Sequence, residues 1–230
     1  MTYCFAPPSV SAVPVAGSNL LFPVHRIYCV GKNYAAHVRE MGSDPSREPP
    51  CFFLKPADAI VLDGVMSYPP GTNNLHYEGE LVLAIGKGGA DIDPDEAPGH
   101  IFGYALGLDM TRRDLQTHAG KLGQPWDTGK AFDESAPLSR ITPVEQCGLL
   151  ERGSIRLWVN SQLRQEADIS QLIWSCNEII SQLSRLYTLV PGDLVFTGTP
   201  AGVGPVEVGD EIRLEIHRLG QLHVKIGKNS

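Results

Sequence analysis

The chain has 230 residues, with 26 acidic against 19 basic side chains and a formal net charge of −7. That length suffices for one domain with a substantial core, and the acidic balance, without a dense Lys/Arg cluster, speaks against nucleic acid or an anionic membrane as partner. Hydrophobic residues at 42%, with 24 glycines and 18 prolines, predict many turns and short strands, hence a mixed α+β, β-rich fold.

Residues 1–23 are proline-rich and weakly periodic, which predicts an N-terminal arm ahead of a single domain over 24–230. They show no basic stretch followed by an apolar one, and no later run reaches membrane-spanning length, so a cytoplasmic protein is expected. Five cysteines, Cys4, Cys29, Cys51, Cys147 and Cys176, are scattered and odd in number. They suggest neither a disulfide framework nor a thiolate zinc site.

Arg26-Ile27-Tyr28-Cys29-Val30 reads as a strand that turns at Gly31-Lys32-Asn33-Tyr34 into a short helix through Ala35-Ala36-His37-Val38-Arg39-Glu40-Met41, closed by Gly42. His37 and Glu40 stand three apart and so share a helical face. That is either a surface contact or a carboxylate fixing an imidazole for general-base work. The polar loop from Gly42 to Pro50 would leave this helix free to act as a lid. Cys51-Phe52-Phe53-Leu54-Lys55 reads as a buried strand whose lysine either reaches solvent along its stem or binds an anion.

His76-Tyr77-Glu78-Gly79-Glu80 leads into the apolar run Leu81-Val82-Leu83-Ala84-Ile85. Alternate strand residues share a face, so Glu78 and Glu80 should lie side by side and repel. A shared proton, a basic neighbour or a hard divalent cation with oxygen ligands would offset the repulsion. Asp109, which ends the strand-like run from Ile101 to Leu108, is the candidate third ligand. Thr111-Arg112-Arg113-Asp114 has capping-box spacing and should open a short helix through Leu115 and Gln116. Its arginines are either surface charges or neighbours of the acidic site. Trp126-Asp127-Thr128-Gly129-Lys130-Ala131-Phe132-Asp133 reads as a loop entering a strand, in which a buried Lys130 would need an anionic partner.

Ile155-Arg156-Leu157-Trp158-Val159 and Leu163-Arg164-Gln165-Glu166 predict a hairpin closed at Asn160-Ser161. Ser175 and Glu178 form a capping box for a helix that places Ile179, Ile180, Leu183, Leu186 and Tyr187 on one face. After Pro191-Gly192-Asp193 a strand, Leu194-Val195-Phe196-Thr197, runs into Gly198-Thr199-Pro200-Ala201-Gly202-Val203-Gly204. That loop is either an anion cradle or a sharp turn. Two more strands follow around turns at Gly209-Asp210 and Leu219-Gly220. No phosphate-loop spacing supports nucleotide binding.

Taken in order, these stretches resemble the fumarylacetoacetate hydrolase family over residues 26–216. The resemblance rests on Gly31-Lys32-Asn33-Tyr34 with His37 and Glu40, Phe53-Leu54-Lys55-Pro56, Tyr77-Glu78-Gly79-Glu80, Asp109-Met110-Thr111-Arg112-Arg113-Asp114, Lys130-Ala131-Phe132-Asp133, and the segment from Pro191 to Gly204. Among its members the chain looks most like the small bacterial acylpyruvate hydrolases. The resemblance implies a β-roll-like fold with short helices and a lid helix, a homodimer, and Mg²⁺ or Mn²⁺ on Glu78, Glu80 and Asp109. It also implies a 2-oxo acid substrate, with His37, Glu40 and Lys130 catalytic and Lys55, Arg112, Arg113, Gln116 and Thr199 binding substrate. The reaction it implies is hydrolysis of an acylpyruvate carbon–carbon bond, with fumarylpyruvate as the best candidate. The alternatives are oxaloacetate decarboxylation and isomerisation of a dienoic 2-oxo acid. The chain departs from the family pattern at Asn160-Ser161, where Asn-Gly is usual, and at Gly129, where a side chain is more usual.

Overall fold

The computed structural model describes residues 2–42, 48–62 and 64–228. Most of the polar loop after the first helix, residues 43–47, therefore lies outside the described residues. A six-stranded sheet runs in the order Thr142–Pro143, Ile101–Leu108, Gly79–Ile85, Leu194–Phe196, Ile27–Gly31, Cys51–Lys55. A five-stranded sheet runs Gln162–Asp168, Ser154–Val159, Glu211–Ile216, Gly220–Gly227, Val65–Ser67. Thr111–Arg112, Leu75–Tyr77 and Gly204–Val206 make a third, smaller sheet.

Gly79–Ile85 is buried along its whole length because both of its faces are covered. Leu81, Leu83 and Ile85 join the larger core with Leu157, Leu214 and Val224 of the five-stranded sheet, together with Ile179, Ile180 and Leu183. Val82 and Ala84 face a second core with Ile27, Phe196, Val13, Val15 and Phe22. The N-terminal residues in that list belong to a hairpin of Ala12–Pro14 on Leu21–Pro23. Within the segment expected to be an arm, residues 2–10 are exposed, whereas the hairpin is woven into the body.

The Asn160-Ser161 turn closes Ser154–Val159 on Gln162–Asp168 with φ of 48° and 67°, the left-handed pair that a tight hairpin requires. Asn160 tolerates that region and is held there by its hydrogen bonds to Asp210 (2.6 Å) and Glu211 N (3.0 Å). The capping box of Cys176–Ser184 forms as expected, with Ser175 Oγ accepting from Glu178 N and the Glu178 carboxylate accepting from Ser175 N. The helix stops at Ser184, so Leu186 lies past its end and is 66% exposed.

Three local expectations are corrected. Cys51–Lys55 is the edge strand of its sheet and is largely open to solvent, with only Lys55 buried. Thr111 caps nothing: Arg113–Lys121 begins without a side-chain cap, and the Thr111 hydroxyl serves a buried polar network instead. Residues 127–130 form a one-turn helix, Asp127–Lys130, not a strand entry. Gly129 lets that turn approach Arg113–Lys121, since a Cβ there would sit 2.8 Å from Gln116 N.

Candidate active site

Pairing of Gly79–Ile85 with Ile101–Leu108 sets Gly79 opposite Leu108, and Asp109 N donates to Glu78 O at 2.9 Å. The two chain ends therefore converge. Ligand oxygens of Glu78, Glu80 and Asp109 all lie within 4.8 Å of one another, and all three residues are buried. Strand Gly79–Ile85 carries Glu80, whereas Glu78 sits at the break after Leu75–Tyr77.

Cations crowd this cluster. Lys130 Nζ donates to Glu78 Oε2 (2.7 Å), Asp109 Oδ2 (2.7 Å) and Thr111 Oγ1 (2.8 Å), which uses all three of its protons. Arg113 Nη2 donates to Glu78 Oε1, and its other nitrogens reach Gln116 Oε1 (2.6 Å) and His76 Nδ1 (3.4 Å). Lys55 lies behind the cluster, 2.9 Å from Asp109 Oδ1 and bonded to the carbonyls of Met110 and Lys130. The Lys55–Asp109 contact is an ion pair without hydrogen-bond alignment, which leaves Asp109 Oδ1 with no hydrogen-bond partner.

Burial alone would raise the Glu78 carboxyl, but Lys130 and Arg113 outweigh it and hold the group well below the usual carboxylate range. Glu80 goes the other way: burial and the charges of Asp109 and Glu78 push it well above that range. Its one strong partner is the Gly198 amide, 2.7 Å from Oε2. Burial works against the Lys130 ammonium, yet Asp109 and Glu78 more than offset this and raise it.

Among the described residues Glu78 and Asp109 have cationic partners and Glu80 has none, so the three carboxylates form an all-oxygen donor set short of positive charge on the Glu80 side. A hard divalent cation such as Mg²⁺ or Mn²⁺ fits that chemistry. Among the described residues the side chains grouped there are all carboxylates.

His37, on the helix Ala35–Glu40, is 7% exposed and faces the same cavity. Its Nδ1 lies 3.1 Å from Glu40 Oε2, and Glu40 also accepts from Gly202 N at 3.0 and 3.1 Å. A carboxylate that only accepts obliges Nδ1 to carry the proton, leaving Nε2 as the acceptor on the cavity side. The Gly202 amide of the glycine loop thus fixes Glu40.

The cavity measures about 460 Å³ and is lined by His37, Glu78, Glu80, Asp109, Arg113, Gln116, Lys130 and Thr199, with Phe53 and Trp126 among its walls. Of the residues expected to bind substrate, Arg113, Gln116 and Thr199 reach it, whereas Lys55 and Arg112 do not line it. The Arg112 guanidinium instead stacks 4.4 Å above the Phe132 ring and donates to Thr128 O. Thr199 Oγ1 donates to Gly79 O (3.0 Å) and accepts from Gln165 Nε2 (2.8 Å).

Sequence reasoning missed Gln165, which also accepts from Gly79 N (3.0 Å) and donates to Pro200 O (2.7 Å), tying the glycine loop to the acidic strand. It missed Asn33 as well. Fully buried, Asn33 bonds Trp174 O and N and Thr197 O. Neither stood out locally, since Asn33 follows Lys32 and Gln165 stands between Arg164 and Glu166; only burial, which obliges an amide to be bonded, marks them.

Fold and site together define a metal-carboxylate enzyme with a His/Glu dyad. The chain belongs to the fumarylacetoacetate hydrolase family, whose C-terminal domain model matches residues 26–227. It is 46% identical to the fumarylpyruvate hydrolase of a Ralstonia species over 185 residues, 80% of this chain and 96% of that protein. It is 44% identical to the human mitochondrial oxaloacetate tautomerase over 205 residues, 88% of this chain and 91% of that one. The crystal structure of fumarylpyruvate hydrolase from Pseudomonas aeruginosa, in complex with Mn²⁺ and pyruvate, superimposes with a TM-score of 0.97 at 52% identity, covering 99% and 100% of the two chains. Among the described residues no helix is long and apolar enough to cross a membrane.

Proposed function

We propose that the chain is a divalent-metal-dependent hydrolase of acylpyruvates, with fumarylpyruvate, cleaved to fumarate and pyruvate, as its substrate. The observation that carries this reading is the buried Glu78, Glu80 and Asp109 triad sharing one cavity with the His37–Glu40 dyad. Likeness to fumarylpyruvate hydrolases in sequence and structure supports the choice of substrate.

Glu78, Glu80 and Asp109 would hold Mg²⁺ or Mn²⁺, which supplies a Lewis acid for the 2-oxo acid end and stabilises developing negative charge by several kcal/mol. Lys130 contributes a fixed positive charge beside that end, with its protons already committed to protein oxygens. His37, oriented by Glu40, takes at Nε2 a proton from water as the water oxygen adds to the distal carbonyl carbon. The bond from that carbonyl carbon to the adjacent methylene carbon breaks, its electron pair stays with the methylene carbon of the pyruvate fragment, and the proton held by His37 passes to that methylene carbon. Phe53 and Trp126 line the path over which the unsaturated arm would lie.

Oxaloacetate is the rival substrate, because a similarly close relative is an oxaloacetate tautomerase and the 2-oxo acid group is common to both. A side-by-side assay of fumarylpyruvate, acetylpyruvate and oxaloacetate with Mn²⁺ or Mg²⁺ separates the two. Acylpyruvate cleavage that chelator abolishes is the expected result; turnover of oxaloacetate alone, or turnover indifferent to chelator, overturns the reading. The chain also belongs, in this reading, to a cytoplasmic homodimer. Free cysteines throughout support the compartment. Exposed Tyr3, Phe5, Val10, Leu20 and Leu21 support a covering partner copy, which light scattering would detect as a doubled mass.

A further inference from the structure

We propose that Lys32 and Lys121 form a rim site for a second carboxylate, so that the cavity selects extended 2-oxo dicarboxylates over 2-oxo monocarboxylates of equal length. This rests on the reading above that the 2-oxo acid end of the substrate lies at Glu78, Glu80 and Asp109.

The other cations near the floor of the cavity are already committed to protein groups. Arg113 spends its nitrogens on Glu78, Gln116 and His76, and Lys130 spends its protons on Glu78, Asp109 and Thr111. Neither Lys55 nor Arg112 lines the cavity. Among the described residues the remaining lysine and arginine side chains lining it are Lys32 and Lys121, both exposed and neither in an ion pair. A distal carboxylate would meet uncommitted positive charge there.

Each lysine follows a glycine that lies against Trp126. A Cβ built on Gly31 would sit 3.3 Å from Trp126 Cζ3, and one on Gly120 would sit 3.7 Å from Trp126 Nε1. The indole is thus flanked by the two backbone segments that carry Lys32 and Lys121, and Phe53 meets it edge-on at 5.8 Å. The cavity therefore passes from a buried acidic floor, along aromatic walls, to an exposed basic rim. Lys32 is moreover held at φ 61°, a region costly for a residue with a side chain and one that collects at functional sites.

The physical consequence is a filter on length as well as charge. In oxaloacetate the second carboxylate stands one carbon from the 2-oxo group, so it stays near the floor; a chain as long as that of fumarylpyruvate carries its second carboxylate outward. Rim charges of this kind act through long-range attraction and weaken in salt.

The test is equilibrium calorimetry on the Mn²⁺-loaded full chain with two probes of equal length, 2-oxoheptanedioate and 2-oxoheptanoate. The dioate is expected to bind about tenfold more tightly at low ionic strength, the combined effect of two exposed charge contacts. The double variant Lys32→Ala/Lys121→Ala should lose this preference, and added salt should diminish it in the wild type. A wild type without the preference, or a double variant that keeps it, overturns the proposal. If the acylpyruvates go unhydrolysed while the double variant still loses the dioate preference, the hydrolase reading falls and the lysine rim stands.

Discussion

Replacing Glu40 by glutamine keeps the size of the side chain but alters what it can hold. The carboxylate accepts from both His37 Nδ1 and Gly202 N; an amide can present only one carbonyl oxygen, and its NH₂ group can turn the imidazole to the other tautomer. Acylpyruvate turnover by Glu40→Gln should fall by about a hundredfold, as should that of His37→Ala, while Mn²⁺ affinity measured by calorimetry stays as in the wild type. Loss of metal binding in either variant would mean that the dyad is structural support for the triad. Side-chain direction explains what was legible at this scale. Glu80 was readable from the strand it lies on, whereas Glu78 at the break before that strand and Asp109 just past Ile101–Leu108 converge on it through the pairing of the two strands. Arg112 and Arg113 were not separable, because neighbours on a chain point to different sides and only the packing decides which meets Glu78 and which Phe132. Of the two readings of Lys55, reach to solvent is excluded, since it is 2% exposed, and the anion it pairs with is Asp109 of the chain itself.

Helix Arg113–Lys121 has no side-chain N-cap, yet its first turn holds Asp114, which accepts from Thr72 Oγ1 at 2.6 Å and from Leu115 N. Burial would raise this carboxyl, but the Thr72 bond and backbone amides outweigh it and hold it below the ordinary Asp value. A carboxyl lowered on folding stabilises above its unfolded pKa of about 3.9 and loses that contribution as pH falls through the folded value. Thr72→Val should therefore lower the melting temperature at neutral pH. The part of the deficit owed to Asp114 should close as the pH is taken below about 4. A deficit constant with pH would show that only the Thr72 bond to Asn74 N matters. The glycine loop offers a second test. Gly202 has φ 98°, and a Cβ there would collide with the Arg164 carbonyl oxygen. Gly202→Ala should shift the loop away from Glu40 and lower both stability and turnover, measured by thermal melt and by assay. Elements whose signals are local were legible: the Ser175 capping box and the Asn160 hairpin depend on residues three or four apart. The turn Asp127–Lys130 was not, because Gly129 discourages a helix and is present for its contact with another helix. Cys51–Lys55 looked buried from composition, since an edge strand and a central one can carry the same apolar residues.

At the scale of the whole molecule, the fold brings three carboxylates into its interior and balances them incompletely. Pairing of residues 79–85 with 101–108 and with 194–196, more than a hundred positions away, makes this possible. No local pattern in the sequence reveals that register. The N-terminal hairpin was illegible for the same reason: its burial depends on a partner surface built from residues near 82, 138 and 196. An interior with Glu80 pushed toward neutrality and Asp109 Oδ1 unbonded is less stable than the same fold with a divalent cation in place. Ligand linkage sets the size of the effect. At a free Mn²⁺ concentration about a hundred times the dissociation constant, the native state gains about 2.7 kcal/mol. For a chain of this size each kcal/mol moves the melting temperature by roughly 2–4 °C, so Mn²⁺ should raise it by about 5–10 °C. Chelator should reverse the rise, and the rise should grow with the logarithm of metal concentration once the site is saturated. Glu80→Gln removes the carboxylate under greatest electrostatic strain and one ligand together. Its metal-free form should match or exceed the wild type in melting temperature, and Mn²⁺ should shift it little. A metal-free Glu80→Gln that melts well below the metal-free wild type would show that Glu80 is held chiefly by its bond from Gly198 N, with the strain of the triad already relieved by Lys130, Lys55 and Arg113.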